Sequence, residues 1–334
     1  MTEKAVTEKT ALYALSVSAR ATLDMHSLNN EGGEGNQIQT RMVNIVGDDG
    51  RLYNVNAISG DMLKHIQAEH FFRLASGDPT VPLCQGCAEF NANRISADPD
   101  YTQAIAKLSD ADALDLLLKS CAMDDLEGNL ITEGGKSLPR KSVIEFGWVV
   151  GIPEVTTTDS YFHVKYANER SEARRTADSS EEARGANLGQ AIFHRPASSG
   201  IYAIVASLEL ARIGLNDITQ QYVLSDDERS TRHANRLESF LYTFLEPNGA
   251  MRGTQNPHIV ALDGVVAVSS AIVPAPTLSP LNQDFPTELQ RIKAALDALH
   301  PGALTLYPFD SLGSFAEVMS GIINTTVPLR MAYA

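Results

Sequence analysis

The sequence predicts an α+β fold built on an antiparallel sheet. Strand-like and helix-like segments are mixed along the chain without the regular alternation that produces parallel sheets. Two strand-like segments, 41–46 and 52–57, flank Gly47–Arg51, which is typical of a hairpin. Residues 11–23 alternate apolar with small or polar side chains, which predicts a half-buried strand.

The remaining elements follow from local signals. A polar loop occupies 24–39, and Ser59 is a candidate N-cap for a helix that carries Asp61 in its first turn and ends before Asp78–Pro79. Residues 84–135 are mainly helical in pattern, with a short helix at 111–119. Beyond these, the pattern predicts strands at 142–150, 161–166, 200–209, 259–262 and 265–270, helices at 227–245 and 287–299, and a polar insertion at 168–190.

Length and composition bound the class of protein. The 334 residues are enough for one elaborated domain or two, and an apolar fraction of 43% is ordinary for a globular chain. No apolar run is long enough to span a bilayer, and the first residues lack the apolar core of a signal peptide, so we expect no membrane association. Three cysteines favour a reducing cytoplasm over a disulfide framework.

The net charge of −14 argues against a generic nucleic-acid binder, because phosphate neutralisation needs lysine and arginine. Net charge is a global sum, however, and one basic stripe on an acidic protein remains open. The alternative is that the acidic charge serves solubility.

A local site for a polyanion is predicted where the loop Ser27–Gln37 and the helix start at Ser59–Gly60 come together across the hairpin. Both offer amides and hydroxyls, and Lys64 and His65 follow in the first turns of the helix. Arg20 and Arg41, on neighbouring strands, extend the same patch. The alternative is an exposed lysine beside a partly buried histidine.

A second polar strip precedes the strand at 200. Arg195 and the hydroxyls of Ser198 and Ser199 suit contact with a nucleic-acid backbone. Phe193, with Tyr161 and Phe162, could stack on bases, although such aromatic residues more often belong to the core.

Cys84 and Cys87 have the spacing of half a zinc site. Two further ligands are needed, and Cys121, His65 and His70 are candidates because no second pair of cysteines with this spacing exists. The alternative is two ordinary loop cysteines without a cofactor.

Catalytic signals are weak. Asp24, His26 and Ser27 are too close in sequence to form a triad by themselves, and Glu31 and Glu34 are candidate ligands for a divalent ion. None of the common hydrolase, metalloprotease or phosphate-loop motifs is present, so the sequence predicts a non-catalytic protein.

Taken in order, five segments resemble the backbone subunit of type I CRISPR surveillance complexes (Cascade), in the DevR-like branch once described as an autoregulator. The segments are Ser18–Leu23, Ser27–Asn30, Ile58–His70, Phe193–Tyr202 and Pro247–Arg252.

This resemblance implies a modified RNA-recognition-motif (ferredoxin-like) palm with a helical insertion and a β-hairpin thumb. The palm would comprise about 11–70, 142–162, 193–270 and 300–334, the insertion about 71–141, and the thumb about 163–192. Guide-RNA contacts carry over to Asn29, Asn30, Arg41, Ser59, Gly60, Lys64, His65, Arg195, Ser198, Ser199 and Arg252.

The implied partners are the guide RNA (crRNA), a target DNA strand, copies of the same chain in a helical filament, and the cap, large, small and crRNA-processing endonuclease subunits. Two other functions compete with this one. A metal-dependent RNA nuclease of the type III kind would use Asp24, Glu31 or Glu34. A transcriptional or developmental regulator lacks a helix-turn-helix signal.

Overall fold

A computed structural model describes residues 9–29, 33–34, 37–166, 190–250 and 255–332, with the backbone alone at 33–34, 37, 163–166 and 190–193. Its strands are β1 (Thr10–Leu12), β2 (Ala14–His26), β3 (Gly33–Glu34), β4 (Gln37–Ile38), β5 (Met42–Val46), β6 (Leu52–Ile58), β7 (Asn129–Ile131), β8 (Leu138–Arg140), β9 (Ile144–Phe146), β10 (Val149–Tyr166), β11 (Gln190–Leu208), β12 (Leu215–Asn216), β13 (Gln221–Tyr222), β14 (His258–Ser269), β15 (Leu304–Phe309) and β16 (Thr326–Pro328).

The described helices fall into two groups along the chain, five between β6 and β10 and three after β11. They are α1 (Gly60–Gly77), α2 (Gln85–Ala88), α3 (Pro99–Ile105), α4 (Asp110–Ser120), α5 (Ala122–Glu127), α6 (Asp226–Leu245), α7 (Phe285–Leu299) and α8 (Leu312–Thr325). Short 3₁₀ turns occur at Arg94–Ala97, Glu133–Gly135 and Leu210–Arg212.

The main sheet has the order β15-β14-β2-β11-β10-β6-β5, and every neighbouring pair along this path is antiparallel. β9 also pairs with β11, and β4 meets β11 at His194. The prediction of a mixed α+β fold with an antiparallel sheet is therefore confirmed. The finer division into palm, insertion and thumb stays a prediction.

Local chemistry accounts for the two helices that pack on this sheet. Ser59 caps α1 by accepting a hydrogen bond from the Met62 N–H at 3.2 Å, as predicted. Ser225 and Glu228 form a reciprocal capping box at the start of α6. Phe71 of α1 and Phe240 of α6 are fully buried in one core that extends to the sheet.

Four predicted strands have the wrong limits. The segment 142–150 is broken between β9 and β10, where a side chain at Gly147 would lie 2.6 Å from Val205. Strand 161–166 is the end of the long β10. The two strands at 259–262 and 265–270 are the single β14. Gly264 lets this strand pass close to β2, since a Cβ there would lie 2.3 Å from the Ser18 carbonyl oxygen.

β10 and β11 form a ribbon that leaves the sheet. Gly151 pairs with Tyr202 and Thr156 with Gly200, so residues 152–155 bulge opposite Ile201 alone. From there the pairing runs to Tyr166 and Gln190. The predicted polar insertion, 168–190, falls almost wholly outside the described residues.

Among the helices that the structure describes, none is both long and apolar enough to cross a bilayer.

Candidate nucleic-acid interface

The first loop and the start of α1 meet, as the sequence predicts. The Asn29 side-chain oxygen accepts hydrogen bonds from the Ser59 N–H at 3.1 Å and from the Ser59 hydroxyl at 3.3 Å. The hairpin of β5 and β6 spans the residues between them, and its register returns the chain to the loop. One amide thus ties the loop to the helix cap.

The strip at Pro196–Ser199 joins the same place. The Ser198 hydroxyl lies 2.8 Å from that of Thr158, and the Ser199 hydroxyl accepts from the Met25 N–H at 3.0 Å. Residues that line the small depression there come from four chain segments. We call this surface the loop junction, and its members are Ser27–Asn29, Gln39–Thr40, Asn56–Ser59 and Pro196–Ser199.

The loop after α6 is also brought to the loop junction. The Ala250 N–H donates to the Leu28 carbonyl at 3.1 Å. Gly249 is required by this approach, because a Cβ at that position would lie 2.6 Å from the Leu28 Cα. The predicted RNA-binding residue Arg252 follows in this loop but lies outside the described residues, as does Asn30.

The side chains at the loop junction are amides, hydroxyls and apolar groups, and none of the described ones is ionised. Asn56 is buried and donates to the Thr40 hydroxyl at 2.7 Å, while it accepts from the Tyr202 hydroxyl at 2.8 Å. The depression therefore has fixed hydrogen-bonding groups and no charge of its own.

His26 forms the floor of this depression. It is 3% exposed, neither ring nitrogen has a hydrogen-bond partner among the described residues, and burial lowers its pKa to about 4. A catalytic relay needs a histidine bonded to a carboxylate and a hydroxyl. His26 makes no such bonds, so Asp24, His26 and Ser27 do not form a triad.

A second concavity begins one turn into α1. We call it the Lys64 groove; it has a volume of about 400 Å³ and is lined by residues including Asp61, Lys64, His65, Phe90, Asn91 and Arg94. Burial lowers the pKa of Lys64, and the His65 ring lies 5.7 Å from that of Phe90. Lys64 and Arg94 bring to this groove the positive charge that the loop junction lacks, beside one carboxylate, Asp61.

Gly60 has a structural reason for being glycine. A Cβ there would lie 2.4 Å from the Phe146 carbonyl oxygen, so the start of α1 packs directly on β9. The sequence-based prediction explains Gly60 by close approach of a phosphate. The packing against β9 alone already requires the absence of a side chain.

The two arginines predicted to extend the patch lie apart. Arg41 is exposed, and its guanidinium lies over the ring of Trp148 at 5.8 Å. Arg20 instead donates two hydrogen bonds to the Pro280 carbonyl, at 3.1 and 2.8 Å, and lines a different cavity beside Asp48 and Glu154. The structure does not bring Arg20 to the loop junction.

The ribbon carries the remaining predicted residues. Arg195 pairs with Tyr161 across β10 and β11, and Phe193 pairs with His163, although the Phe193 side chain is outside the described part. Tyr161 and Phe162 are 41% and 70% exposed, so they are not core residues.

The cysteines converge elsewhere in the molecule. The thiols of Cys84, Cys87 and Cys121 and the carboxylate of Asp124 place their ligand atoms within 4.8 Å of one another, and all four residues are buried. We call this group the cysteine cluster. The predicted alternatives His65 and His70 are not part of it, since His70 donates from Nε2 to the Glu246 carbonyl at 2.9 Å.

Comparison with models of protein families identifies the family of this chain. The model of the family described as the CRISPR-associated negative auto-regulator DevR/Csa2 matches residues 17–290. This chain belongs to the DevR/Csa2 family. The match contains the loop junction, the Lys64 groove and the cysteine cluster, and it confirms the resemblance inferred from the sequence at the level of the family.

Individual relatives are more distant. A protein of Methanocaldococcus jannaschii named CRISPR-associated protein Cas7/Cst2/DevR is 26% identical over 277 residues, which is 78% of this chain and 82% of that protein. A chain of a structure titled CRISPR RNA-guided surveillance complex gives a TM-score of 0.47 at 12% identity. A chain of a structure titled CRISPR RNA-guided surveillance complex, pre-nicking, gives a TM-score of 0.46 at 13% identity. Each covers 92% of this chain, and 98% and 100% of the respective solved chains are covered.

A crystal structure of Thermofilum pendens Csc2 gives a TM-score of 0.38 at 11% identity, over 94% of this chain and 85% of that one. None of these three structural similarities is close enough to transfer the role of a residue to this DevR/Csa2 chain.

Sequence reasoning missed two residues of this family member. Trp148 is 45% exposed beside Arg41, and its signal was that it is the single tryptophan of the chain. Asp124 completes the cysteine cluster, and its signal was its position three residues after Cys121, the same spacing as in Cys84 and Cys87.

Proposed function

We propose that this chain is a guide-RNA-binding backbone subunit of a type I CRISPR surveillance complex. Several copies would assemble along one crRNA and present it for pairing with a target DNA strand, together with cap, large, small and crRNA-processing subunits in the cytoplasm. In this proposal the main sheet is an RNA-recognition-motif-like palm, residues 71–141 are the helical insertion, and the ribbon of β10 and β11 is the base of the thumb.

One observation carries the proposal: four segments far apart in sequence converge on the loop junction. The hydrogen bonds of Asn29 with Ser59, of Met25 with Ser199 and of Leu28 with Ala250 join them. Asn29, Ser59, Ser199 and Ala250 lie in four of the five segments on which the family resemblance rests. Their convergence into one polar surface beside the Lys64 groove supports a common ligand.

The chemistry of that surface suits a nucleic acid that is held without regard to sequence. Hydroxyl and amide groups can contact phosphate and sugar, while base edges stay free for pairing. Lys64, His65 and Arg94 line the adjoining groove, and Trp148 beside Arg41 offers a stacking surface. Shared binding along one strand can replace strong affinity for each subunit.

We further propose that the chain does not cleave RNA. Within the part of the chain that the structure describes, the cysteine cluster is the one group of three or more histidine, cysteine or acidic side chains close enough to share a metal ion, and Asp24 is not one of its members. Glu31 lies outside the described residues and only the backbone of Glu34 is described, so the nuclease alternative is decided by assay.

The test is size-exclusion chromatography with single-stranded RNAs of increasing length. We expect oligomers that grow with RNA length, and weaker binding for Lys64→Glu and Arg41→Glu. For each cation withdrawn from a phosphate, the slope of log affinity against log salt should fall by about 0.7. Arg291→Glu is the matched control, because Arg291 is exposed on α7 and pairs with Glu288. A protein that stays monomeric at every RNA length contradicts the proposal.

Cleavage is tested on the assembled complex with complementary RNA and Mg²⁺. We expect intact RNA. Cleavage that disappears on substitution of Asp24, Glu31 or Glu34 would replace the binding proposal with the nuclease one. Specific binding to promoter DNA without guide RNA would instead support the regulator that the family description names.

A further inference from the structure

The cysteine cluster consists of two half-sites of the same design. Cys84 is the residue that caps α2, and its sulfur accepts the N–H of Cys87 at 3.4 Å. Cys121 caps α5 in the same way, and its sulfur accepts the N–H of Asp124 at 3.5 Å. In each case the capping sulfur and the side chain three residues later point to one centre.

The separations fit a single ion. The Asp124 Oδ2 atom lies 3.6 Å from the Cys84 sulfur and 3.2 Å from the Cys87 sulfur. A tetrahedral zinc ion with sulfur and oxygen ligands holds those atoms about 3.5 Å apart, from its usual bond lengths. A cluster of several irons holds its sulfur ligands farther apart than the 4.8 Å that contains all four ligand atoms here.

Asp124 is oriented as a ligand. Its other oxygen, Oδ1, accepts from the Asn129 side chain at 2.9 Å and from the Ile95 N–H at 3.5 Å. These bonds turn Oδ2 toward the thiols, and outer hydrogen bonds of this kind are what fix ligands in metal sites. The N–H donors on the sulfurs and on Oδ1 also offset the negative charge that three thiolates and a carboxylate would bring.

The cluster is closed to solvent. Cys87, Cys121 and Asp124 are 0% exposed and Cys84 is 5% exposed. Four protein ligands with no open position are the mark of a structural ion, whereas a catalytic zinc keeps one position for water or substrate. The same burial argues against a redox disulfide between Cys84 and Cys87, because a partner thiol could not reach either sulfur.

We propose that Cys84, Cys87, Cys121 and Asp124 bind one structural zinc ion. The ion joins the loop that contains α2 to α5, two segments that are distant in sequence. That loop continues through Phe90, Asn91 and Arg94, which line the Lys64 groove. Gly86 lies within the first half-site with its Cα against the Arg94 carbonyl, where a Cβ would be 2.0 Å away. Zinc therefore braces one wall of that groove.

The test is the metal content of the full chain, purified without chelator. We expect about one zinc ion per chain. After removal of zinc under reducing conditions, Co²⁺ should give the thiolate charge-transfer and tetrahedral ligand-field absorption of a sulfur-rich site. Both measurements use the unaltered protein and are independent of RNA binding.

Three variants should differ in how tightly they bind zinc. Asn129→Ala removes an outer hydrogen bond and should weaken zinc binding about 10–100-fold. Asp124→Asn removes a ligand and should weaken it more, whereas Asp124→Cys should retain zinc and add a fourth thiolate to the Co²⁺ spectrum. Asp61→Asn, an exposed acid of the Lys64 groove, is the control and should leave zinc content unchanged.

Protein that contains no zinc and gives no thiolate spectrum with Co²⁺ overturns the proposal. So does a native protein in which mass spectrometry finds a Cys84–Cys87 disulfide, or one with the visible absorption of an iron–sulfur cluster.

Discussion

The surroundings of α5 and the loop junction use polar residues in opposite ways. On α5, Asp125 is completely buried and pairs with Arg140 at 2.7 Å and Arg232 at 2.8 Å, while Glu127 pairs with Arg236 at 2.7 Å. At the loop junction the described side chains are uncharged and hydrogen-bond to one another and to neighbouring hydroxyl and backbone groups. Ion pairs fix the surroundings of α5, whereas neutral hydrogen bonds fix the loop junction.

The difference changes the meaning of the basic residues in the sequence. Among the described residues five arginines, 140, 212, 229, 232 and 236, are buried. They are part of the 27 lysines and arginines of the chain and cannot contact an RNA. The cations available for a nucleic acid are therefore fewer than composition indicates, and under the proposed function the amides and hydroxyls of the loop junction would do more of the binding.

Breaking a buried pair should have the largest effect. Asp125→Asn leaves Arg140 and Arg232 without their shared carboxylate, so we expect a loss of about 3–5 kcal/mol in the free energy of unfolding. Urea denaturation measures it. The control is Glu288→Gln on α7, whose partner Arg291 is 74% exposed; its effect should stay below about 1 kcal/mol. Equal effects would contradict the contrast between interior and surface charge.

The uncharged state of His26 predicts a dependence on pH. Burial lowers its folded-state pKa to about 4, whereas the unfolded chain protonates near the ordinary value of about 6.5. Between these values the unfolded state binds the extra proton, so stability is full above pH 6.5 and is lost as the pH falls toward 4, by up to about 3 kcal/mol. His26→Phe should remove this part of the pH dependence; an unchanged profile would show that His26 is not buried as a neutral ring.

Two glycines of α1 test what positions the helix at the loop junction. Gly60→Ala forces a Cβ against the Phe146 carbonyl, and we expect a loss of about 1–3 kcal/mol. Gly77→Ala, at the other end of the helix, meets no atom within 4 Å and should stabilise by about 0.5–1 kcal/mol. Thermal unfolding compares them. A harmless Gly60→Ala would mean that the helix start is not seated on β9.

The smallest effect belongs to the hydrogen bonds between loop and helix cap. Ser59→Ala should cost about 1 kcal/mol, because the Met62 N–H loses its acceptor. A double-mutant cycle with Asn29→Ala should show a coupling of about 0.5–1 kcal/mol. Independent effects of the two substitutions would place the first loop away from α1 in solution.

The elements that sequence predicts are those governed by neighbours in the chain. Ser59 and the apolar pattern of α1, and the apolar face of α6 with Leu237 and Leu241, are local signals that the tertiary structure leaves intact. The meeting of Asn29 with Ser59 is also predictable, since an antiparallel hairpin returns its ends to one place. β15 and α8 escape prediction, because their patterns are interrupted by Pro308, Gly313 and Gly321.

The partner that each buried polar side chain contacts could not be predicted from the sequence. Asp124 and Asp125 are adjacent acids, yet one faces the thiols and the other faces two arginines. Arg20 lies on a predicted strand, but its face is decided by the Pro280 carbonyl, 260 residues away. Such choices are made by groups distant in sequence.

The bulge at the base of the β10–β11 ribbon has a fixed backbone conformation that sets the orientation of the ribbon beyond it. Glu154 takes a positive φ of 68°, and Gly200, which pairs with Thr156, has a φ of 150° and fits closely against the Val155 carbonyl. Beyond this point the two strands pair mainly with each other. Because side chains alternate between faces, deletion of one residue within 152–155 would invert every outward-facing group of β10 farther along. The bulge at 152–155 thus determines to which face the ribbon presents Tyr161 and Phe162.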